Sequence, residues 1–306
     1  MKIGICIASY KNPDGLKKLL KSIDGLKSTN SLISLTIYVV VNAERLTSGY
    51  EELLVNYKGV QNQMNLIYQL EPKIGIPYVR NRLYRMSEGC DYIAFVDDDE
   101  FVHRLWLFNY VSNLSQRNAV LCGPVKARFK DGAPKWALDY GFYDSDEHAH
   151  LEPISVFYTN NVIINRKILM EVNGPFSEDM ALTGGTDKLL ALQLKGLGHE
   201  FIWVNNAIVY EDIPNNRVSI AWLFNRKKRI GYTNTLIDKI IGSFNLKTLL
   251  KKLFVDLLRL SIVGFLGIFS TKFRFKFIMS AGGFCGLLLF ILGVRQEEYD
   301  PKKYRI

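Results

Sequence analysis

A run of acidic residues follows an apolar stretch near the end of the first third of the chain. The residues are Asp97, Asp98, Asp99 and Glu100, within the segment FVDDDEF. Like charges this close together raise the free energy of the fold unless a cation compensates them. Mg²⁺ and Mn²⁺ prefer carboxylate oxygens combined with substrate phosphates. The pattern therefore favours a divalent metal site beside a diphosphate over a solvated acidic turn.

Apolar segments of strand length alternate with helix-like segments over the first hundred residues. The strand-like segments span 3–8, 35–41, 64–70 and 91–96, and helical spacing is found at 16–23 and about 77–87. This alternation predicts a parallel α/β sheet. Ligands of such sheets bind beyond the carboxyl ends of the strands. We therefore expect Ser9–Asn12, Asn42 and the acidic run to lie together.

The second hundred residues are less regular. We interpret 106–114 as a helix and 119–129, 155–165 and 200–204 as strands. The polar segment 130–153 is predicted to be a long loop near the site. It contains Trp136, His148 and His150, and the two histidines belong either to a lid or to an ordinary loop.

An acidic residue begins the helix-like segment GGTDKLLALQLKGLG at 184–198. Asp187 follows two glycines and a threonine, a position at which a carboxylate caps a helix. A carboxylate placed there can also act as a general base when its surroundings tune its pKa. The sequence is compatible with both roles.

The basic charge of the chain is concentrated in its C-terminal quarter. Residues 226–306 hold 16 Lys and Arg against 5 Asp and Glu, whereas the remaining residues hold 23 against 25. An amphipathic charged segment at 249–270 precedes an uncharged run of 18 residues at 277–294. Interfacial helices, a re-entrant hairpin and a soluble helical core all fit this pattern. We favour contact with an anionic membrane surface and expect no nucleic-acid partner.

The cysteines and the N-terminus indicate a reducing compartment. Cys6, Cys90, Cys122 and Cys285 form no CxxC pair, so free thiols are expected rather than a disulfide framework or a zinc site. The opening MKIGICIASY has an apolar run too short for a signal peptide. We expect the protein at the cytoplasmic face of the cell membrane, held peripherally or by a C-terminal anchor.

Four segments resemble, in order and spacing, motifs of the family 2 glycosyltransferases, which have the GT-A fold. They are GICIASYKNPDGLKKLLKSI (4–23), GIPYVRNRLYRMSEGCDYIAFVDDDEF (75–101), TNNVIINRKIL (159–169) and GGTDKLLALQLKGLGHEFIWVNNAIVYEDIP (184–214). The resemblance implies an α/β fold with a Rossmann-like, mostly parallel sheet flanked by helices. It implies a GT-A domain at 1–235, with a nucleotide-sugar-binding half at 1–104 and an acceptor-side half at 105–235. A membrane-associating helical tail at 236–306 would follow.

The resemblance also implies roles for individual residues. Asp98 would bind the ribose, and Asp99, with Asp97 alongside, would bind the metal ion, Mn²⁺ or Mg²⁺. Arg80 would face the diphosphate and Asp187 would be the catalytic base. The rest of the donor pocket would be Ala8, Ser9, Tyr10, Asn12 and Asn42. The acceptor or a diphosphate would meet Asn160, Asn161, Trp136, Arg226 and Arg229.

Some positions depart from the family pattern. The usual alanine, the acidic base contact and the glutamate before the putative base are replaced by Val79, Asn42 and Thr186. Many relatives have a histidine near Tyr210, and Glu211 is here either a substitute metal ligand or a surface acid. Ile230 stands where processive synthases have a tryptophan after the arginine, so we expect the addition of a single sugar.

These features predict an inverting, metal-dependent hexosyltransferase. It would transfer one sugar from a nucleotide-diphosphate sugar, in the first instance a UDP-sugar, to a hydroxyl of a lipid-linked glycan in bacterial surface polysaccharide biosynthesis. One alternative is a non-catalytic nucleotide- or nucleic-acid-binding protein with a basic tail. A phosphotransferase with an aspartyl nucleophile is the other, and it fits poorly because no Asp-x-Asp-x-Thr pattern accompanies the acidic run.

Overall fold

The computed structural model describes residues 1–27, 32–55, 57, 64–114 and 119–296 of the 306-residue chain. The strands are β1 (Lys2–Ser9), β2 (Ser34–Val41), β3 (Asn65–Leu70), β4 (Tyr92–Asp97), β5 (Glu100–Val102), β6 (Val120–Cys122), β7 (Val125–Phe129), β8 (Pro153–Ile154), β9 (Asn161–Asn165), β10 (Phe201–Trp203) and β11 (Val209–Ile213). The helices are α1 (Pro13–Asp24), α2 (Ser48–Val55), α3 (Ile76–Met86), α4 (Trp106–Leu114), α5 (Lys135–Asp139), α6 (Arg166–Met170), α7 (Thr186–Gly196), α8 (Ile220–Ile240), α9 (Leu246–Phe269) and α10 (Thr271–Ile291).

The chain forms two compact units. The first contains the described residues of 1–128, 143–181 and 186–212, and the second contains 129–142, 182–185 and the described residues from 213 onward. The expected domain boundary at residue 235 falls inside α8, so the helix that carries Arg226 and Arg229 belongs to the same unit as the two helices after it.

An eight-stranded sheet organises the first unit, in the order β3-β2-β1-β4-β9-β6-β10-β8. The four strands from β3 to β4 are parallel, as the alternating sequence predicts, and β9 runs antiparallel to both of its neighbours. A second sheet has the order β5-β11-β7. Because Ala8 pairs with Asp97 and Ser9 with Val41, the carboxyl ends of β1, β2 and β4 meet at one edge.

Both faces of the large sheet are buried, which explains why its central strands are apolar throughout. On one face, Ile3, Ile5 and Ile7 of β1 pack with apolar residues of α1 such as Leu16. On the other face, Cys6 of β1 belongs to the cluster formed with residues of α3 and α7. The alternation of side chains along a strand thus joins a helix layer to each face.

Two expected strands are shorter than the sequence suggested. The segment 119–129 divides into β6 and β7, which belong to different sheets. The division falls at Gly123 and Pro124, where the proline has no backbone N–H to donate and a Cβ at Gly123 would overlap the carbonyl oxygen of Ala207. The segment 155–165 forms a strand only from Asn161 onward, and the expected loop at 130–153 contains α5.

Three long helices, α8, α9 and α10, dominate the second unit. The backbones of α8 and α10 approach closely, because a Cβ at Gly231 would overlap the carbonyl oxygen of Gly283 and a Cβ at Gly286 that of Lys228. Thr271–Ile291 is long and apolar enough to cross a membrane, judged by length and composition over the described residues alone.

An aromatic cluster joins α10 to an earlier part of the same unit. The ring of Trp136 in α5 stacks on Phe275 with centroids 4.7 Å apart, and Tyr140 and Phe142 contact the same ring at 5.8 and 5.9 Å. The segment 129–142 is therefore packed on the C-terminal helices rather than forming a free loop.

Candidate active site

The four acidic residues form a turn between two strands. Asp97 ends β4, Asp98 and Asp99 make the turn, and Glu100 begins β5. Glu100 is only 2% exposed, and one of its carboxylate oxygens accepts the backbone N–H of Asp97 at 2.9 Å. This contact fixes the direction in which the other three carboxylates leave the sheet edge.

Asp98 is held by the loop that follows β1. Its carboxylate accepts the hydroxyl of Ser9 and, at 3.3 Å, the backbone N–H of Tyr10. The side-chain amide of Asn12 donates to the backbone carbonyl of Asp98 at 3.2 Å. Tyr50 completes the group, with its hydroxyl 2.7 Å from that of Ser9 and accepting the backbone N–H of Asn12 at 2.9 Å.

The structure therefore brings together several of the predicted donor-site residues: Ala8, Ser9, Tyr10, Asn12, Asp97 and Asp98. Burial raises the pKa of Asp98 from 3.8 to about 7, and the hydrogen bonds from Ser9 and Asn12 oppose that shift. A bound group that stabilises the carboxylate form of Asp98 would lower this pKa.

Arg80 faces the same turn from α3. Its guanidinium donates to Asp97 at 3.3 Å, and its side chain is nearly buried. Asn81 fixes the neighbouring backbone by donating to the carbonyl of Phe176 at 2.7 Å and accepting its N–H at 3.1 Å. Arg80 is thus a positioned cation beside the carboxylates, and its fork of donors suits anionic oxygens.

The acidic groups of the turn repel one another despite this arginine. Burial raises the pKa of Asp97 from 3.8 to about 6, Arg80 lowers it, and repulsion from Asp99 and Asp187 raises it. Burial and repulsion from Asp97 and Asp99 raise the pKa of Glu100 well above its ordinary value. A bound cation would relieve this repulsion.

Asp187 stands in the first turn of α7, after two glycines with φ of +76° and +87°. One of its carboxylate oxygens accepts the backbone N–H of Lys188 at 2.9 Å. The charge of Asp187 helps to raise the pKa of Asp97. Asp187 thus contacts the backbone of its own helix, and its role as the catalytic base stays a prediction.

The carboxylates fit the way Mg²⁺ and Mn²⁺ bind beside phosphates. Among the described residues, no group of three or more His, Cys, Asp or Glu side chains is arranged as a preformed cage. These ions ordinarily use one or two protein carboxylates and take their remaining ligands from phosphates and water. Asp99 and Asp97 satisfy that requirement, and the mutual repulsion at the turn favours it.

Two predicted ligand contacts need correction. Asn42 is nearly buried, and its side-chain amide donates to the carbonyls of Glu71 and Lys73, both at 2.7 Å, while accepting the N–H of Gly75 at 3.0 Å. This amide is committed to the loop after β3. Asn42, which the sequence places in the donor pocket, thus has both of its amide N–H groups bonded within the protein.

Asn161 is the second correction. Its side-chain oxygen accepts from Trp106 at 2.8 Å and from Tyr110 at 2.7 Å, and its amide donates to the carbonyls of Pro124 at 2.9 Å and Ala207 at 2.7 Å. All four hydrogen-bonding positions of this buried side chain are used within the protein. It joins elements of the fold instead of meeting an acceptor, whereas Asn160 lies partly exposed in the preceding turn.

The remaining predicted residues lie elsewhere in the fold. Trp136 belongs to the aromatic cluster of the second unit, and Arg226 lies over the ring of Trp222 at 5.1 Å, one turn before Arg229 in α8. Glu211 is opposite Glu100 in the β5–β11 ladder, and its charge helps to raise the pKa of Glu100.

The histidines of the predicted loop are placed in the first unit. The ring of His148 lies 3.7 Å from a carboxylate oxygen of Glu152 and packs edge-on against Trp203 at 5.1 Å. His150 is exposed. Among the described residues no metal-binding group includes either histidine.

Tyr50 and Asn81 are site residues that the sequence did not single out. Tyr50 lies in a short helix whose pattern gave no signal, and its hydroxyl becomes informative only when the register places it beside Ser9. Glu100 was visible as part of the acidic run. Its hydrogen bond to the backbone at Asp97 separates its role from that of the neighbouring aspartates.

Comparisons with known proteins identify the family of the chain. The family model described as Glycosyl transferase family 2 matches residues 4–172. The succinoglycan biosynthesis protein ExoM of Rhizobium meliloti (strain 1021) is 27% identical over 233 residues, which are 76% of this chain and 73% of that protein.

Solved structures share the fold. The mannosyltransferase PcManGT from Pyrobaculum calidifontis, in complex with GDP-Man and Mn²⁺, is 15% identical with a TM-score of 0.63 over 96% of this chain and 88% of its own. S. aureus TarS 1–349 in complex with UDP is 12% identical with a TM-score of 0.53, over 96% and 92%. This chain spans only 39% of a longer TarS chain that it also matches, with a TM-score of 0.51 and 15% identity.

The expected fold class is thereby confirmed, as a mixed sheet flanked by helices like that of these GT-A-like neighbours. The family match covers more than half of the chain and includes the acidic turn and Arg80. The chain belongs to glycosyl transferase family 2.

Proposed function

We propose that this glycosyltransferase is an inverting, divalent-metal-dependent hexosyltransferase that adds one sugar to a lipid-linked glycan. The observation that carries the proposal is the acidic turn after β4, where Arg80 lies 3.3 Å from Asp97 and the charge of Asp187 acts on the same carboxylate. These contacts support a cation site at the turn, a diphosphate contact at Arg80 and a base at Asp187.

The donor would be a nucleotide-diphosphate sugar. The wall formed by Ser9, Tyr10, Asn12 and Asp98 offers hydrogen-bonding groups to a nucleoside, and Arg80 offers a cation to its diphosphate. Solved relatives are described with UDP-GlcNAc and with GDP-Man, which is a property of those proteins. We take a UDP-sugar as the first candidate for this chain.

The reaction would be a direct displacement at the anomeric carbon. Asp187 takes the proton of the acceptor hydroxyl, whose oxygen forms the new bond as the bond to the leaving diphosphate breaks. Attack from the face opposite to the leaving group inverts the anomeric configuration. Asp99 and Asp97 would hold Mn²⁺ or Mg²⁺, which supplies charge neutralisation of the diphosphate. Arg80 contributes to the same neutralisation through hydrogen bonds.

The acceptor would be carried by a lipid at the cytoplasmic face of the cell membrane. The second unit exposes many large apolar residues on α9, with Phe254 68% and Phe269 76% exposed, and the same region carries the excess of basic charge. A role in surface polysaccharide biosynthesis would fit this placement, because the relative from Rhizobium meliloti is named for succinoglycan biosynthesis. We propose the addition of a single sugar because Ile230 stands where processive synthases have a tryptophan.

A donor screen tests the proposal. Full-length protein in detergent is incubated with a panel of nucleotide sugars and Mn²⁺, Mg²⁺ or EDTA, and released nucleoside diphosphate is measured. We expect metal-dependent release from one donor. We also expect its loss in Asp99→Ala and its retention in Asp146→Ala, a change at an exposed position outside the site.

Two results would contradict the proposal. Full activity of Asp99→Ala would remove the metal assignment, and a product that retains the anomeric configuration of the donor would remove inversion. Absence of release together with absence of metal-dependent nucleotide binding would favour the non-catalytic nucleotide- or nucleic-acid-binding alternative.

A further inference from the structure

The long helix α9 exposes a row of large apolar side chains. Its residues Leu250, Phe254, Leu257, Ile262 and Phe265 are each more than half exposed. A helix packed on a soluble protein turns its apolar stripe toward its neighbours. The exposed stripe of α9 indicates an apolar surrounding outside the helix.

The charged side of α9 lines an open cavity of about 550 Å³ between α8, α9 and α10. Each helix contributes residues at helical spacing, so one face of each helix meets the cavity. The residues are Lys227, Ile230, Gly231 and Asn234 of α8, Lys252, Asp256, Arg259 and Val263 of α9, and Lys276, Met279, Ser280, Gly283 and Phe284 of α10.

The cavity combines positive charge with apolar surface. Four of its lining residues are basic and one is acidic. Lys252 is held in place by a hydrogen bond to Thr235 at 2.9 Å and an ion pair with Asp238 at 3.2 Å. Apolar side chains such as Ile230 and Phe284 form the rest of the lining. A ligand that matches both properties is an amphiphile with an anionic head.

The size of the cavity further limits which ligands fit it. Small-molecule sites occupy about 300–1,000 Å³, so a cavity of about 550 Å³ is large enough for a phosphate or diphosphate with the first carbons of a lipid chain. The rest of such a chain could lie along the exposed apolar stripe of α9. Arg259 supplies forked donors that suit phosphate oxygens, and Lys227 and Lys276 supply compact charges.

We propose that the cavity between α8, α9 and α10 binds the phosphate or diphosphate head of a membrane lipid. Resting on the proposed function, we further assign that lipid as the carrier of the acceptor glycan. The site would hold the acceptor by the end at which the lipid and the glycan are joined, independently of which sugars the glycan contains.

Binding of a prenyl diphosphate tests the proposal. Full-length protein in uncharged detergent and EDTA is titrated with farnesyl diphosphate, with farnesol, with inorganic pyrophosphate and with phosphatidylglycerol. EDTA suppresses metal-dependent binding of diphosphates at the acidic turn. We expect farnesyl diphosphate to bind at least about tenfold more tightly than farnesol or pyrophosphate, because only it satisfies both parts of the cavity.

Matched substitutions locate the site. The cavity variant Arg259→Gln with Lys276→Gln should weaken farnesyl diphosphate binding by about tenfold or more, because two charge-assisted contacts are lost. The control variant Lys247→Gln with Lys251→Gln removes the same charge from exposed positions outside the cavity lining and should stay within about twofold. Thermal unfolding of each variant confirms that the helices remain packed.

The outcomes separate the sources of the phosphate. Preference for farnesyl diphosphate over phosphatidylglycerol, lost in the cavity variant, supports the acceptor carrier. If farnesyl diphosphate and phosphatidylglycerol bind equally tightly and the cavity variant loses both, the cavity is a site for bulk phospholipid. Equal effects of cavity and control variants, or equal binding of farnesol, would overturn the proposal. So would binding of pyrophosphate as tight as that of the prenyl compound.

Hydrolysis of the sugar donor tests the glycosyltransferase proposal separately from the lipid site. Metal-dependent release of nucleoside diphosphate is measured on the same preparations without acceptor. Release without prenyl diphosphate binding would reject the lipid site and leave the glycosyltransferase proposal standing. Prenyl diphosphate binding without release from any donor would reject the proposed donor chemistry and leave the lipid site standing.

Discussion

The carboxylates of the acidic turn differ in role because their hydrogen-bond partners differ. Asp98 is bound by the loop after β1, Glu100 by the backbone at Asp97, and Asp97 by Arg80. Asp98 and Glu100 are thus bonded within the turn and its loop, and we propose Asp97 and Asp99 as the ligands of a cation. Asp187 approaches from a separate helix.

Asp187→Asn should lower kcat about a thousandfold, because loss of a general base typically costs a factor of about 10²–10⁴. The amide can still accept the N–H of Lys188, so the helix start is preserved. Steady-state kinetics with donor and acceptor measure the loss, and calorimetry should show donor affinity unchanged. Activity within threefold of the parent would leave Asp187 as a helix cap only.

The raised pKa values of Asp97, about 6, and Asp98, about 7, predict a pH-dependent stability in EDTA. Between pH 4 and 7 the folded protein binds protons that the unfolded chain has already released. Its free energy of unfolding therefore falls as the pH rises. Asp98→Asn removes one of these groups, so the variant should become more stable relative to the parent as the pH rises through that range.

Denaturant unfolding at pH 4 to 8 measures this difference. The control is Asp146→Asn, which changes an exposed acid and should follow the pH profile of the parent. A constant difference between Asp98→Asn and the parent over this range would contradict a raised pKa at Asp98.

The family resemblance assigned roles to the acidic run, Arg80 and Asp187 from the sequence, and those roles stay predictions. The sequence could not distinguish a ligand-facing amide from a structural one. Asn42 and Asn161 follow or begin strands as expected, but the hydrogen-bond partners that use their amides come from distant segments. Only the folded register shows which polar side chains are already satisfied.

At the scale of elements, the strands before residue 100 were predictable because each is an apolar run followed by polar residues. The strands after residue 118 are short, and their neighbours in the sheets are far apart in sequence. The antiparallel β9 between β4 and β6, and the small sheet that pairs β11 with both β5 and β7, have no periodic signature of their own. Tertiary pairing determines these elements.

The close crossing of α8 and α10 depends more on Gly286 than on Gly283. Gly286→Ala should destabilise the protein by about 1–3 kcal/mol, because its Cβ would overlap the carbonyl oxygen of Lys228 and force the helices apart. Gly283→Ala is the matched control, since its Cβ would meet only the carbonyl oxygen of Lys227, at 3.9 Å.

Helix propensity predicts that Gly283→Ala is neutral or more stable by up to about 1 kcal/mol. Thermal unfolding of both variants in the same detergent measures the contrast. Equal stability of the two variants would show that the α8–α10 crossing tolerates a methyl group at either position.

At the scale of the whole molecule, charge and apolar surface are concentrated in the C-terminal quarter of the chain, whereas the remaining residues are nearly neutral. Electrostatic attraction to an anionic membrane is screened by salt, and burial of apolar side chains in it is not. Association with vesicles should therefore have two separable components.

We expect the fraction of protein that floats with phosphatidylglycerol vesicles to decrease, without reaching zero, when the salt concentration rises from about 50 mM to about 500 mM. The Debye length shortens about threefold over this range. Phe254→Ser with Phe265→Ser should remove the salt-resistant part, because burying each phenylalanine contributes about 1.5–3 kcal/mol. Complete loss of parent binding at high salt would contradict the apolar component.

Phe275 has a consequence for any exchange of parts between relatives. Three aromatic side chains from the middle of the chain, Trp136, Tyr140 and Phe142, rest on this one ring near the start of α10. The C-terminal helices are therefore not a module that can be cut off or transplanted at a single junction. A chimera that exchanges α8–α10 without segment 129–142 would leave these aromatic side chains without their partner ring and exposed. Such a chimera should aggregate, so the two segments must be exchanged together.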